Sequence, residues 1–160
     1  MPRRFAAEDA MVTNTTSPIL TAAGRRWVEG RLERAEQRLA RLNADLASER
    51  SDALLEDCRH AEAQVEELRQ LLRVAVSPGD VAEDPSVIEL GDEVEVEFDD
   101  GSRESFLVVH PVEAPMDDHR TSFDSPLAQA VLGHRPGDEV TVVSPAGSYR
   151  CVIVGRSRLD

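Results

Sequence analysis

Residues 28–72 read VEGRLERAEQRLARLNADLASERSDALLEDCRHAEAQVEELRQLL, and the apolar spacing inside this run decides the architecture. Val28, Leu32, Ala35, Leu39, Leu42 and Leu46 step by 4, 3, 4, 3, 4. Leu54, Cys58, Ala61, Val65, Leu68, Leu72 and Ala75 step by 4, 3, 4, 3, 4, 3. This is the seam period of a coiled coil. Laid antiparallel, Leu46 faces Leu54, Leu42 faces Cys58, Leu39 faces Ala61, Ala35 faces Val65, Leu32 faces Leu68 and Val28 faces Leu72. The two series therefore mirror each other about residue 50. The mirror predicts one αα-hairpin that reverses within residues 47–53, A-S-E-R-S-D-A.

The ends of the hairpin carry their own signals. Thr21 is a reasonable N-cap for the outgoing helix, and Ser48 or Ser51 for the returning one. Ser77-Pro78-Gly79-Asp80 stops the second helix, because Pro78 cannot continue it. An arm of about 27 residues at 1.5 Å per residue is roughly 40 Å long. It has one apolar stripe, and arginine and glutamate cover the remainder, so it is expected to protrude from the globular part. Trp27, the only tryptophan, is expected to pack at the arm's base against the second domain.

Composition sets limits on partners. The 160 residues allow one domain or two small ones. All 18 basic residues are arginine, which reads as codon bias, so arginine richness alone does not indicate phosphate binding. Of the net charge of −13, residues 77–160 carry −12, with six arginines against eighteen acids. Such a half repels a nucleic-acid backbone and prefers a basic protein surface, so direct sequence-specific DNA binding is not expected. Cys58 and Cys151 form no CxxC pair and read as reduced thiols of a cytoplasmic protein. No apolar run approaches the length of a membrane span.

Beyond the hairpin the period changes to two. Glu93-Val94-Glu95-Val96-Glu97-Phe98 alternates strictly, Asp99-Asp100-Gly101-Ser102 is a hairpin turn, and Ser105–Val109 is a second strand. His110 to Asp124 reads as a polar loop. Ser125–Gly133 is a compact helix with Ser125 as cap, Pro126 at the first position and Gly133 as stop. Strands follow at Glu139–Val143 and Tyr149–Gly155, joined by the Pro145-Ala146-Gly147 turn. The fold class is α+β, with an N-terminal antiparallel helical hairpin and a C-terminal β-β-α-β-β domain. The expected organisation is a flexible tail at 1–20, the coiled-coil hairpin at 21–76, a linker at 77–86 and the C-terminal domain at 87–160.

The run S125-P-L-A-Q-A-V-L-G133, followed by G137-D-E-V140 and the Pro145–Gly147 turn, resembles the C-terminal domain of the bacterial Gre transcript-cleavage factors, the GreA/GreB family. V87-I-E-L-G-D-E-V-E-V96 and L20-T-A-A-G24 extend the resemblance over about residues 20–158. It implies an FKBP-like C-terminal domain that docks on RNA polymerase at the rim of the secondary channel while the coiled coil enters that channel. Carried onto this sequence, the docking residues are Phe123, Ser125, Pro126, Leu127 and Gln129. In the family two acidic residues at the arm's tip hold a second Mg²⁺ in the polymerase active site and activate hydrolysis of backtracked RNA, using the oxygen ligands that Mg²⁺ prefers. The resemblance thus implies no cofactor of the factor's own, and a Mg²⁺ shared with the polymerase.

At the tip the sequence departs from the family. Where its members usually read G-D-L-[ST]-E-N-A-E-Y, this chain reads A44-D-L-A-S-E-R-S-D52. The glutamate stands four residues beyond Asp45 instead of three, Gly and Asn are absent, and Arg50 intrudes. One residue rotates a helical side chain by about 100°. The expectation is therefore a polymerase-binding elongation regulator that modulates or inhibits synthesis without efficient RNA cleavage. Glu49, Asp52 and Asp45 are the candidates to approach the polymerase Mg²⁺. A true cleavage factor and an interaction regulator of the Rnk type, with a shorter arm, are the alternatives. No independent enzymatic activity, no metal site of its own and a monomeric state are expected. Asp117-Asp118-His119 lacks further ligands at metal spacing, His60, His110 and His134 read as surface residues, and no phosphate loop, Ser-His-Asp arrangement or HExxH is present. Phe98, Phe106, Phe123 and Tyr149 are too few aromatics for a prolyl isomerase pocket.

Overall fold

The computed structural model describes residues 17–82 and 84–158. The chain divides into two compact units: Arg25–Ala75, and a second that gathers the residues on both sides of it.

In the first unit, α1 (Ala22–Ser48) and α2 (Asp52–Val74) form the hairpin. Val28, Ala35, Cys58, Ala61, Val65 and Leu68 are buried, and Leu32, Leu39, Leu42, Leu46, Leu54 and Leu72 are half-buried. Every seam position is thus withdrawn from water, while Leu55, one step off the seam, is 40% exposed. Outside the seam, Arg69 on α2 reaches Glu36 on α1 at 2.7 Å. At the open end, the Arg25 guanidinium donates to the carbonyls of Leu72 (3.3 Å) and Ala75 (2.9 Å). Ala75 is the residue that the mirror about residue 50 sets opposite Arg25. These carbonyls lie at the C-terminus of α2, where a cation is favoured.

The second unit starts earlier than the expected boundary at residue 21. Residues 1–16 lie outside the described residues, but Ile19 bridges Val76 in parallel, with Leu20 N–H donating to Val76 O and Val76 N–H to Pro18 O, both at 2.9 Å. Leu20 is only 1% exposed, so 18–20 is fixed structure, not tail. The expected linker also holds a single helical turn, α3 (Pro78–Val81), with Pro78 buried.

The sheet comprises β1 (Asp92–Phe98), β2 (Arg103–Val109), β3 (Arg120–Ser122), β4 (Glu139–Ser144) and β5 (Gly147–Arg158), in the order β3-β2-β1-β5-β4. A short helix, α4 (Pro126–Val131), lies between β3 and β4. All neighbours are antiparallel except β2 and β3. β3 and a 3₁₀ turn at Ala114–Met116 replace the continuous loop expected for 110–124. The resulting order is β-β-β-α-β-β. Three residues of strand pairing with polar side chains leave no alternation to read, which is why β3 was illegible.

The inner face follows from the alternation. Val94 and Val96 of β1, Phe106 and Val108 of β2, Val140 and Val142 of β4, and Cys151 and Ile153 of β5 form one core with Ile88 and with Ala128 and Val131 of α4. A bulge between Glu95 and Val96 in the β1–β5 register lets the twelve-residue β5 bend and serve both β1 and β4. Asp99–Ser102 closes the first hairpin, with Gly101 at φ +83° and Asp100 accepting from the Ser102 N–H and hydroxyl. Both cysteines are free and buried. Among the described residues no helix is long and apolar enough to cross a membrane.

Candidate functional site: the arm tip and the helix face of the sheet domain

The reversal occupies three residues, Glu49, Arg50 and Ser51. Ser51 has extended backbone (φ −144°, ψ 151°), and its hydroxyl accepts the Leu54 N–H at 3.0 Å. Of the two candidate caps, Ser51 therefore starts α2, while Ser48 donates back to the Ala44 carbonyl at 3.2 Å. Asp45 lies inside α1, where its carbonyl accepts the Glu49 N–H at 2.8 Å. Glu49 stands just past the end of α1, and Asp52 opens α2, where the helix dipole favours a carboxylate. All three acids and Arg50 are exposed.

Whether these carboxylates suit a Mg²⁺ ion is a question of donor set. Asp45 lies in the last turn of α1 and Glu49, four residues on, just past its end, while Asp52 belongs to the other helix and Arg50 sits between Glu49 and Asp52 in the chain. Among the described residues no three His, Cys, Asp or Glu side chains stand where they could share a metal ion.

The candidate docking residues converge on one short stretch of the second unit. Ser125 caps α4 by accepting the Ala128 N–H at 3.2 Å, with Pro126 in the first turn. Gln129 Nε2 donates to the Phe123 carbonyl at 2.7 Å and ties the preceding loop to the helix. Phe123 and Leu127 are half-buried and pack against the sheet core, while Pro126 and Gln129 are exposed. Phe123 also meets His110 edge-on, ring centroids 5.9 Å apart. His110 is half-buried, contrary to the surface reading, and burial pushes its imidazole pKa down despite Glu113 and Asp124 nearby. Asp117 organises a turn: its carboxylate accepts the His119 and Arg120 N–H groups, each at 3.0 Å, and pairs with the Arg120 guanidinium.

Two buried acids went unread in the sequence. Glu113 is fully buried and accepts the Thr21 N–H (2.9 Å) and hydroxyl (2.6 Å). The Thr21 hydroxyl in turn accepts the Gly24 N–H at 2.9 Å, so Thr21 caps α1 while Glu113 holds Thr21. A Cβ on Gly24 would lie 2.0–2.4 Å from the Glu113 carboxylate, so this position has room for glycine only. Arg120 Nε, buried and without a hydrogen-bond partner, stands 3.7 Å from Glu113 Oε1. The T-A-A-G run that carries part of the family resemblance is thus the receptor for Glu113. Asp92, also fully buried, receives Arg156 Nε (2.7 Å), Arg158 Nε (2.8 Å) and the Glu89 N–H (2.9 Å). Burial pushes its pKa up, but the bonds from Arg158, Glu89 and Arg156 outweigh that and leave it below the ordinary value.

Comparison with known proteins finds relatives by sequence and by structure. Residues 83–155 match the family model described as transcription elongation factor GreA/GreB, C-terminal. Transcription elongation factor GreA of Geobacillus kaustophilus is 36% identical over 104 residues, 64% of this chain and 66% of that protein. The same-named factor of Bacillus cytotoxicus is 30% identical over 156 residues, 90% of this chain and 98% of its own length. Among solved structures, GreA factor homolog 1 (Gfh1) of Thermus thermophilus is 32% identical, covering 88% of this chain and 99% of that one, with a TM-score of 0.40.

Proposed function

Because this chain belongs to the GreA/GreB family of transcription elongation factors, we propose that it regulates elongation by binding RNA polymerase, with α4 and the loop before it docking at the secondary-channel rim and the α1–α2 arm entering the channel. At the catalytic centre it interferes with synthesis instead of assisting RNA hydrolysis, and it has no catalytic activity of its own. The tip is the observation that carries this reading. Asp45 and Glu49 lie four residues apart across the end of α1, Asp52 starts the other helix, and Arg50 stands among them. Cleavage needs carboxylates that converge on one ion, and displacements of about 1 Å in such arrangements cost on the order of 100-fold.

The docking patch supports the same partner. Exposed Pro126 and Gln129 stand beside half-buried Phe123 and Leu127 in the chain, with Gln129 bonded to the Phe123 carbonyl, and together they offer a small semi-apolar surface. The acidic charge of the C-terminal half favours a basic protein face. The test is Glu49→Ala with Asp52→Ala in a run-off assay with purified polymerase. The double variant is expected to lose inhibition of synthesis while keeping polymerase binding within about twofold, since these exposed acids hold no fold contacts except Asp52's dipole term of about 0.5 kcal/mol. Undiminished inhibition by the double variant would reduce the acids to turn formers.

A further inference from the structure

β4 is the last strand of the sheet, and its free side is open to pairing. Among the described residues nothing pairs with it except β5. The direction of its backbone groups follows from the register. The carbonyl of Asp138, one residue before β4, accepts the Ile153 N–H at 2.9 Å, and the hairpin closes on the pair Ser144–Gly147. Backbone groups alternate in direction along a strand, so Val140, Val142 and Ser144 turn theirs to β5. Glu139, Thr141 and Val143 therefore turn their N–H and carbonyl groups outward, and no hydrogen bond from another described residue reaches them. Natural edges are blunted by shortness, bulges, proline or charge. β3, the opposite edge, is three residues long. β4 has six residues, E-V-T-V-V-S, with no bulge in its register, and Val143 is 68% exposed.

Charge and register together select the occupant of this edge. Between Val140 and Gly155 the only charged residue is Arg150, which is paired with Glu139 at 3.6 Å. Residues 77–160 carry −12, so this hairpin is the neutral part of an acidic half, and a second copy meets it there without repulsion. An antiparallel two-fold through Thr141 sets Thr141 against Thr141 of the second copy and Glu139 against its Val143. All three outward residues then exchange backbone bonds. Sliding the pairing by two residues sets Glu139 opposite Pro145, which has no N–H, or Val143 opposite Gly137, whose N–H already goes to Ile153. Sliding it by one sets the buried face against the exposed one. In the register centred on Thr141, Val140 lies beside Val142 of the second copy and continues the inner face, while threonine meets threonine on the outer face. We propose that the chain associates as a two-fold dimer in which β4 pairs with β4 of a second copy, joining two five-stranded sheets into one. The contact is isologous and uses up the edge, so assembly stops at two. The dimer departs from the monomeric state expected from the sequence, and it does not depend on the polymerase reading.

The test follows the mass of the full-length chain by sedimentation equilibrium between about 1 μM and about 1 mM, the range of weak complexes. Wild type is expected to double its mass as concentration rises. Thr141→Pro removes an N–H that β5 does not use, so the chain should keep its circular dichroism spectrum yet stay at monomer mass. Thr141→Lys sets like charges opposite each other across the two-fold and should stay monomeric as well, whether or not the proline variant folds. Disulfides read the register. The Cα atoms of the two copies of residue 141 stand about 5.5 Å apart, within the disulfide range of about 4.4–6.8 Å, whereas those of residue 143 lie about 14 Å apart along the strands. Cys58 and Cys151 are buried and should not compete. Oxidised Thr141→Cys is expected to run as a covalent dimer and Val143→Cys as a monomer, while a mixture of Glu139→Cys with Val143→Cys should link. A monomer at every concentration would overturn the inference and leave the edge to a strand of another protein. A dimer that Thr141→Lys leaves undiminished, or that links no better through residue 141 than through 143, would also overturn it.

Discussion

Replacing Glu113 tests how the start of α1 is held in the second unit. Alanine there removes the acceptor for the Thr21 N–H and hydroxyl and takes away the carboxylate 3.7 Å from the Arg120 guanidinium. Thr21 is 4% exposed and the Arg120 side chain 13%, so water replaces little of what is lost. An orphaned buried donor costs about 1–3 kcal/mol, and breaking a buried ion pair from one side about 3–5 kcal/mol. Arg120 keeps Asp117 as a second partner, which moderates the latter figure. The expected net loss is about 3–4 kcal/mol, or roughly 6–16 °C in melting temperature for a chain of this size. Gly24→Ala attacks the same contact sterically, because its new Cβ would collide with the Glu113 carboxylate. Once Glu113 is alanine, that collision vanishes. The two changes together should therefore cost less than their sum by at least about 1 kcal/mol, as neighbours in one contact do. Urea denaturation of the four proteins in a double-mutant cycle measures this coupling. A loss below about 1 kcal/mol for Glu113→Ala, or strict additivity with Gly24→Ala, would refute the reasoning.

Further outcomes follow from the same contacts. The Asp92 carboxyl is held below its ordinary 3.8, so its contribution is complete above the unfolded-state value and is lost as pH falls through the lower folded one. Acid unfolding followed by calorimetry should show this limb, and Asp92→Asn should flatten it and cost about 2–3 kcal/mol at neutral pH. Ser51→Ala removes the side-chain N-cap of α2 and should destabilise the arm by about 1 kcal/mol, seen as fraying of amide exchange over residues 52–55. Glu36→Ala, by contrast, should shift stability by less than about 0.5 kcal/mol, because its partner Arg69 is 50% exposed and such surface pairs contribute little.

Much of the fold is written in period. The mirrored seam specifies both helices and their reversal, and the alternation of Val94, Val96 and Phe98 marks the core face of the sheet. Capping chemistry is equally legible, as at Ser125-Pro126 and Gly133. What escaped is structure made by backbone pairing or by single buried charges. The Ile19–Val76 bridge needs only two residues on each side, and β3 only three, too few for a pattern. Glu113 and Asp92 look like any acid in an acidic domain, and only the fold reveals that arginine and backbone donors enclose them. The tip acids are legible as residues, but which serine starts α2 is decided by the capping bond that Ser51, not Ser48, makes.

The central claim is that the tip interferes with synthesis without cleaving RNA. Its most direct test adds the factor to backtracked elongation complexes with 3′-labelled and 5′-labelled RNA, then supplies nucleotides. The account predicts that the RNA keeps its length while the rate of extension falls as the factor is added. Shortened transcripts that the polymerase then re-extends would contradict it.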